Sequence, residues 1–177
     1  MSFVGLILLI IALVLLVPCV VLFVQCLSGS LAYTSGIPQA EGGREPAGLK
    51  VAVIMPAHNE EEIVTASIQS VLPQITTGGG RDRLLVVADN CTDETAQRAR
   101  LAGAEVTERN DDARRGKGWA LDHGIQYLKD DPPDVVVFMD SDCFAGPLMV
   151  DTISSRAAST GRPVQADYRL VAPAGEP

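Results

Sequence analysis

The sequence predicts an α/β domain, a mainly parallel sheet with helices on both faces, preceded by one N-terminal transmembrane helix. Three observations predict it. Apolar runs of strand length at Val51–Met55, Leu84–Ala88 and Val135–Phe138 are separated by segments with helical periodicity, the alternation that builds parallel sheets through crossover helices. These runs are apolar throughout rather than alternating, as in strands covered on both faces. Finally, no charged residue occurs from Phe3 to Val24, a run matching the hydrocarbon thickness of a bilayer.

Residues 3–27 are therefore read as the membrane helix, in which Pro18 is tolerable. A cleaved signal peptide is the competing reading, with Ser28–Ala32 as its cleavage region. The segment has neither a basic leader nor the shorter apolar core of such a peptide. Glu41, Arg44, Glu45 and Lys50 are the first charges after it, a weak positive-inside signal for a cytosolic C-terminal side. The expected location is thus the cell membrane, with a single N-terminal anchor. Residues 28–49, rich in Gly, Ser, Pro and Glu, read as a linker.

Residues 50–177 form the soluble domain. Its first strand, Val51–Met55, is stopped by Pro56. Asn59 is the expected N-cap of the next helix, with Glu60, Glu61 and Glu62 in its first turn, where the helix dipole favours negative charge. Val64, Ile68, Val71 and Leu72 supply the apolar stripe, and Pro73 closes the helix. Gly78–Gly80 is a flexible loop. The second strand, Leu84–Ala88, runs into Asp89–Asp93, which turns the chain and caps a helix ending near Leu101. Ala104–Glu108 reads as an edge strand. Arg114–Gly118 leads into a helix with Leu121, Ile125 and Leu128 on its apolar face, broken by Pro132–Pro133. After Val135–Phe138 comes a helix over about 147–159. Val164–Val171 alternates with period two, the pattern of a strand with one wet face, expected to be antiparallel.

The chain of 177 residues suits one domain of ordinary size, and its net charge is −8. That acidity excludes the clustered basic footprint of a nucleic-acid binder. Four cysteines without paired spacing give neither a zinc site nor a disulfide framework. They read as reduced thiols.

The chemistry concentrates in three loops, each following an apolar strand: Pro56-Ala57-His58-Asn59-Glu60, Asp89-Asn90 and Asp140-Ser141-Asp142. Parallel topology brings all three to one rim, the edge where open α/β sheets bind ligands. Asp140 and Asp142, at i and i+2, can hold a hard divalent cation, and the cation a phosphate. Lys117, between Gly116 and Gly118, stands at a helix start whose free N–H groups suit a phosphate, although the P-loop spacing is absent. His58 reads as a loop histidine that bonds its neighbours. Trp119 is expected in the core or the pocket wall.

Together these motifs resemble family 2 glycosyltransferases of the GT-A fold. Val53–Glu60 resembles their first strand and loop, and Val86–Thr95 their second strand and Asp-bearing turn. Arg115–Gly118 with Ala120-Leu121 resembles their basic loop, and Asp140-Ser141-Asp142 their DxD motif. The four motifs follow in the family's order from Lys50 to about Tyr168. The resemblance implies that Pro56, Ala57, His58 and Glu60 line a nucleotide-sugar pocket and that Asp89 reads the base, usually uracil. It implies that Lys117 lies near the base or the diphosphate. Asp140 would approach ribose and metal, and Asp142 would hold Mg²⁺ or Mn²⁺. The implied reaction is inverting transfer of a sugar from a nucleotide-sugar donor, usually a UDP-sugar, to a glycan or lipid-linked acceptor. Such members serve membrane-linked polysaccharide synthesis.

Two departures stand out. Ala88 occupies a position where many members carry a second Asp. The family takes its general base from a carboxylate motif beyond the DxD, which would lie past Pro177; neither Asp151 nor Asp167 matches it. The chain is therefore read as an incomplete domain, mainly the donor-binding half. The alternative is a non-catalytic nucleotide-sugar-binding or degenerate fragment. A DxD phosphatase is disfavoured because Cys143 and Phe144 follow the motif, and a sugar nucleotidyltransferase because no Gly-rich loop follows Met55.

Overall fold

The structure, a computed structural model, describes residues 2–34, 48–75 and 81–170. The chain divides into two compact units, Met1–Glu41 and Gly42–Pro177. In the first, α1 (Phe3–Thr34) is one continuous helix with Pro18 inside it, and its large apolar side chains are exposed. It continues through Ser28–Thr34, which the sequence assigned to the linker. Gly78–Gly80 lies outside the described residues.

The second unit contains β1 (Val51–Ala57), α2 (Val64–Ile75), β2 (Arg83–Asp89), α3 (Thr95–Leu101), β3 (Glu105–Arg109), α4 (Lys117–Tyr127), β4 (Val135–Phe138) and α5 (Met149–Thr160). The strands form one sheet in the order β3-β2-β1-β4, and every pairing is parallel. Val51–Met55, the centre of β1, is buried. Its odd-numbered residues pack with Val64, Ile68 and Val71 of α2, Ala99 of α3 and Val150 of α5. Its even-numbered residues, Ala52 and Ile54, pack with Leu85, Val87, Ala120 and Leu128 on the α4 side. Period-two alternation thus sends one strand into two cores, which is why its sequence is apolar at every position.

Carboxylates at the opposite edge of the sheet anchor the start of β1. Lys50 N–H donates to Asp134 Oδ2 at 2.9 Å and Val51 N–H to Asp82 Oδ1 at 2.8 Å.

Several expectations are corrected. Pro56 does not stop β1, which reaches Ala57. The ladder to β4 has already ended at Ile54↔Phe138, so a missing N–H there breaks no bond on that flank. Pro73 does not end α2, which runs to the buried Ile75. Asn59 is not its N-cap. Glu60–Ile63 makes a turn that leads into α2, which starts at Val64. On α4 the inward face is Ala120, Gly124 and the following Leu128, with Leu121 beside them, whereas Ile125 is 45% exposed. Gly124 replaces the expected bulk because a Cβ there would stand 2.9 Å from Ile54 Cγ2 and 3.0 Å from Val87 Cγ2. β4 is not covered on both faces: it borders the sheet and Phe138 is 51% exposed. Residues 163–170 form no strand, and Leu170 is exposed. Alternation alone specifies no ladder partner, and no described strand forms a ladder with this segment. Val171 lies outside the described residues.

Two outcomes follow for stability. Gly124→Ala should lower it by about 1–3 kcal/mol through overpacking, read as a shifted denaturation midpoint. Gly118→Ala, whose Cβ meets nothing within 4 Å, should leave it equal or higher. The second outcome concerns Glu105, whose carboxyl lies below its usual range because Arg83 donates to it, at 2.7 and 2.8 Å. A depressed folded value contributes stability above the ordinary value of 4.5 and loses it as pH falls through the folded one. Wild type should therefore exceed Glu105→Gln in stability at neutral pH, and the gap should close below pH 4.5 in a denaturant series.

Candidate functional site

All four strands end at one rim, and the loops beyond them are fixed by side chains. Asn59 and Asn90 follow β1 and β2 at φ 54° and 52°, a left-handed backbone that Asn tolerates better than most residues. Each then ties its loop to another. Asn59 Oδ1 accepts from Thr92 N–H at 2.8 Å, and Asn90 Oδ1 from Asp111 N–H at 2.7 Å. Thr95 Oγ1 accepts from Glu60 N–H at 2.8 Å. Asp93 Oδ1 accepts from the N–H of Thr95, the first residue of α3, at 3.0 Å.

A cavity of about 430 Å³ opens at this rim. Pro56, Ala57, His58, Glu60, Asp89, Lys117, Asp140 and Asp142, the residues singled out from the sequence, all line it. Asn90, Arg115, Gly116, Ala120 and Ser141 complete the lining. Trp119 does not; it is 44% exposed and lies against the Arg114 guanidinium, 5.3 Å from ring centre to Cζ. Asp151 lies in the first turn of α5 and Asp167 pairs with Arg169, and neither lines the cavity.

On the β4 side, Ser141 is buried and its hydroxyl contacts Pro56 O, at 2.8 Å, and Glu60 Oε2. With the middle residue turned inward, the carboxylates on either side are left at the surface. Ligand atoms of Asp140, Asp142 and Cys143 lie within 4.8 Å of one another. The two carboxylates are hard, exposed oxygen donors, a set that fits Mg²⁺ or Mn²⁺; the Cys143 thiol is softer. Lys117 Nζ forms an ion pair with Asp140 Oδ1, both side chains about half exposed. Burial, then Asp142 and Asp140, push the Glu60 carboxyl above its ordinary range. Burial likewise raises the Cys143 thiol. His58 Nδ1 lies 2.7 Å from Asp89 O. A carbonyl only accepts, so Nδ1 carries the proton and the ring serves the loop, as its sequence context suggested.

On the β2 side is a residue the sequence reading missed. Arg109 ends β3 in register with Asp89. Its Nη1 donates to Asp89 Oδ1 at 2.6 Å, and its Nη2 to Arg114 O at 2.6 Å; Nη2 also lies 3.3 Å from Asp111 Oδ2. The Arg109 and Asp89 side chains are 9% and 10% exposed. The available signal was the parallel pairing itself, which sets the end of an edge strand beside the end of its neighbour.

Residues 52–160 match the glycosyl transferase family 2 profile. The chain belongs to that family. Over 101 residues, 54% of the chain, it is 38% identical to glucosyl-3-phosphoglycerate synthase of Mycolicibacterium smegmatis. It is 28% identical over 101 residues to glycosyltransferase AglD of Haloferax volcanii, covering 16% of that protein. The crystal structure of the Mycobacterium tuberculosis glucosyl-3-phosphoglycerate synthase superposes with a TM-score of 0.55 at 33% identity, covering 70% of this chain and 46% of that one. That synthase has also been solved with Mn²⁺, uridine-diphosphate and phosphoglyceric acid, a form with a TM-score of 0.49 to this chain. The chain spans about a third of the length of the curated synthases it matches.

A cation at Asp140 would compete with Lys117, so Lys117→Met should raise Mn²⁺ affinity in the absence of nucleotide. The gain should be up to about fivefold, the worth of an exposed ion pair. Paramagnetic resonance of free Mn²⁺ measures it, and unchanged affinity would show that the pair does not compete.

Proposed function

We propose that this chain binds a uridine diphosphate sugar together with Mg²⁺ or Mn²⁺, and is the donor-binding part of a membrane-anchored, inverting glycosyltransferase. The observation that carries the reading is the convergence of Asp89, Lys117, Asp140 and Asp142 on one cavity. The family match supports transfer of a glycosyl group.

In this reading Asp140 and Asp142 hold the ion. When bound, it would offset the charge that grows on the diphosphate as the glycosidic bond breaks. Lys117, exchanging Asp140 for phosphate oxygens, adds a second positive charge at the same place. Asp89 accepts a hydrogen bond from the base. Pro56, Ala57 and the cavity-facing Ala120 give the nucleoside a partly apolar wall. The acceptor hydroxyl attacks the anomeric carbon from the face opposite the diphosphate and gives its proton to a base.

The names of the relatives support a glucosyl donor and a phosphorylated glycerate acceptor. A lipid-linked or glycan acceptor is the second reading, favoured by α1. Phe3–Leu31 is long and apolar enough to cross a membrane, and at about 1.5 Å per residue exceeds the roughly 30 Å hydrocarbon layer. We place the domain on the cytosolic side.

Calorimetric titration of the full chain in detergent should show UDP binding that requires Mn²⁺ or Mg²⁺ and is abolished by EDTA. Asp142→Ala should weaken it at least about tenfold. A folded chain that binds UDP equally well without metal, or not at all, overturns the reading. Sedimentation tests the anchor: the full chain should pellet with membranes in high salt and be released only by detergent.

A further inference from the structure

We infer that Arg109 is a positioning residue for base selection: it fixes the Asp89 carboxylate so that the site takes uracil and rejects cytosine. The inference rests on reading the cavity as a nucleoside diphosphate site.

The argument starts from the sheet. Asp140 and Asp142 lie just past β4, and Asp89 ends β2, with β1 between them. Two strand spacings separate the two ends of the cavity, roughly 10 Å. With the diphosphate at the Asp140 end, a ribose spans the gap and the base arrives at Asp89. That carboxylate is 10% exposed, so little of it is open to the ligand. Its Oδ1 already receives Arg109 Nη1 at 2.6 Å and Asn90 Nδ2 at 3.2 Å. The guanidinium is itself immobilised by Arg114 O and Asp111, and Asn90 N–H donates to Arg109 O at 2.7 Å. This arrangement needs a planar fork with donors in fixed directions, which an ammonium group cannot supply.

A carboxylate held this way is an acceptor with one orientation. Uracil presents N3–H to it, whereas cytosine presents the N3 lone pair. A site built around one hydrogen bond rejects the analogue that cannot make it far more strongly than an apolar pocket rejects a change of shape. If Arg109 is removed, Asp89 can rotate and the discrimination fades. Arg109 also bonds the loop that leads to Gly116 and Lys117, so the same residue joins the base end of the cavity to its cationic side.

The test is the ratio of UDP to CDP affinity, measured by titration of the full chain in detergent with Mn²⁺. Wild type should prefer UDP by about tenfold or more, the usual worth of a hydrogen bond to a charged group. Arg109→Met should bring the ratio toward unity, and Arg109→Lys should give an intermediate value. Should Arg109→Met fail to fold by circular dichroism, the lysine variant carries the test. Asp89→Asn should also lower the ratio, and adding Arg109→Met to it should lower the ratio no further, because both act through one contact. A ratio unchanged in the folded Arg109 variants, with both nucleotides weakened alike, would mean a merely structural residue and overturns the inference. Independent, additive effects of the two substitutions also overturn it, as does a wild type that binds UDP and CDP equally. A wild type that binds neither nucleotide fails the donor-site reading itself, and the inference with it.

Discussion

Everything at the site depends on the four strands pointing the same way. An antiparallel sheet would send alternate strand ends to opposite edges. Here Ala57, Asp89, Arg109 and Phe138 all close their strands at one edge, and the loops that follow share one space. The parallel arrangement requires crossover helices, and these cover both faces of β1. The close approach of α4 at Gly124 has a functional side: α4 begins at Lys117, so its packing against β1 and β2 also holds the cation at the rim.

The rim concentrates carboxylates, and their treatment differs with depth. Ser141 turns inward between Asp140 and Asp142, keeping both at the surface. Glu60, in contact with the Ser141 hydroxyl, bears the consequence as a raised carboxyl range caused by burial and by the two aspartates. A divalent ion at Asp140 and Asp142 would relieve that repulsion, so the same crowding that disfavours charge in its absence favours cation binding.

Much of this was legible in the sequence, and for identifiable reasons. The apolar runs marked β1 and β2 because a strand between two cores needs no polar face. The polar residues just beyond them marked the cavity because nothing in a strand-to-helix turn requires Asp140 and Asp142 together. What stayed hidden was set by tertiary context. Val135–Phe138 is as apolar as a central strand yet lies at the sheet's border. Residues 163–170 alternate yet form no strand. Asn59 looks like an N-cap, but it bends the chain at positive φ and binds Thr92 instead. Arg109 looks like one charge on a wet edge strand. Only its register with Asp89 makes it the partner of a buried carboxylate.

Two ion pairs of similar chemistry frame the cavity, and burial gives them different characters. Arg109–Asp89 is about 10% exposed on both sides and has supporting bonds from Asn90, Asp111 and Arg114. Removing one partner would strand a buried charge, a cost of about 3–5 kcal/mol, so this pair resists disruption more than an exposed one. Lys117–Asp140 is half exposed, and a pair of that kind contributes at most about 1 kcal/mol. Its opening is therefore within reach of any incoming cation or phosphate. The cavity is thus rigid at the end where a ligand would be identified and exchangeable at the end where charge must be accommodated. A donor site needs that division, because the part of the ligand that is recognised does not change during transfer while the charge on its diphosphate does.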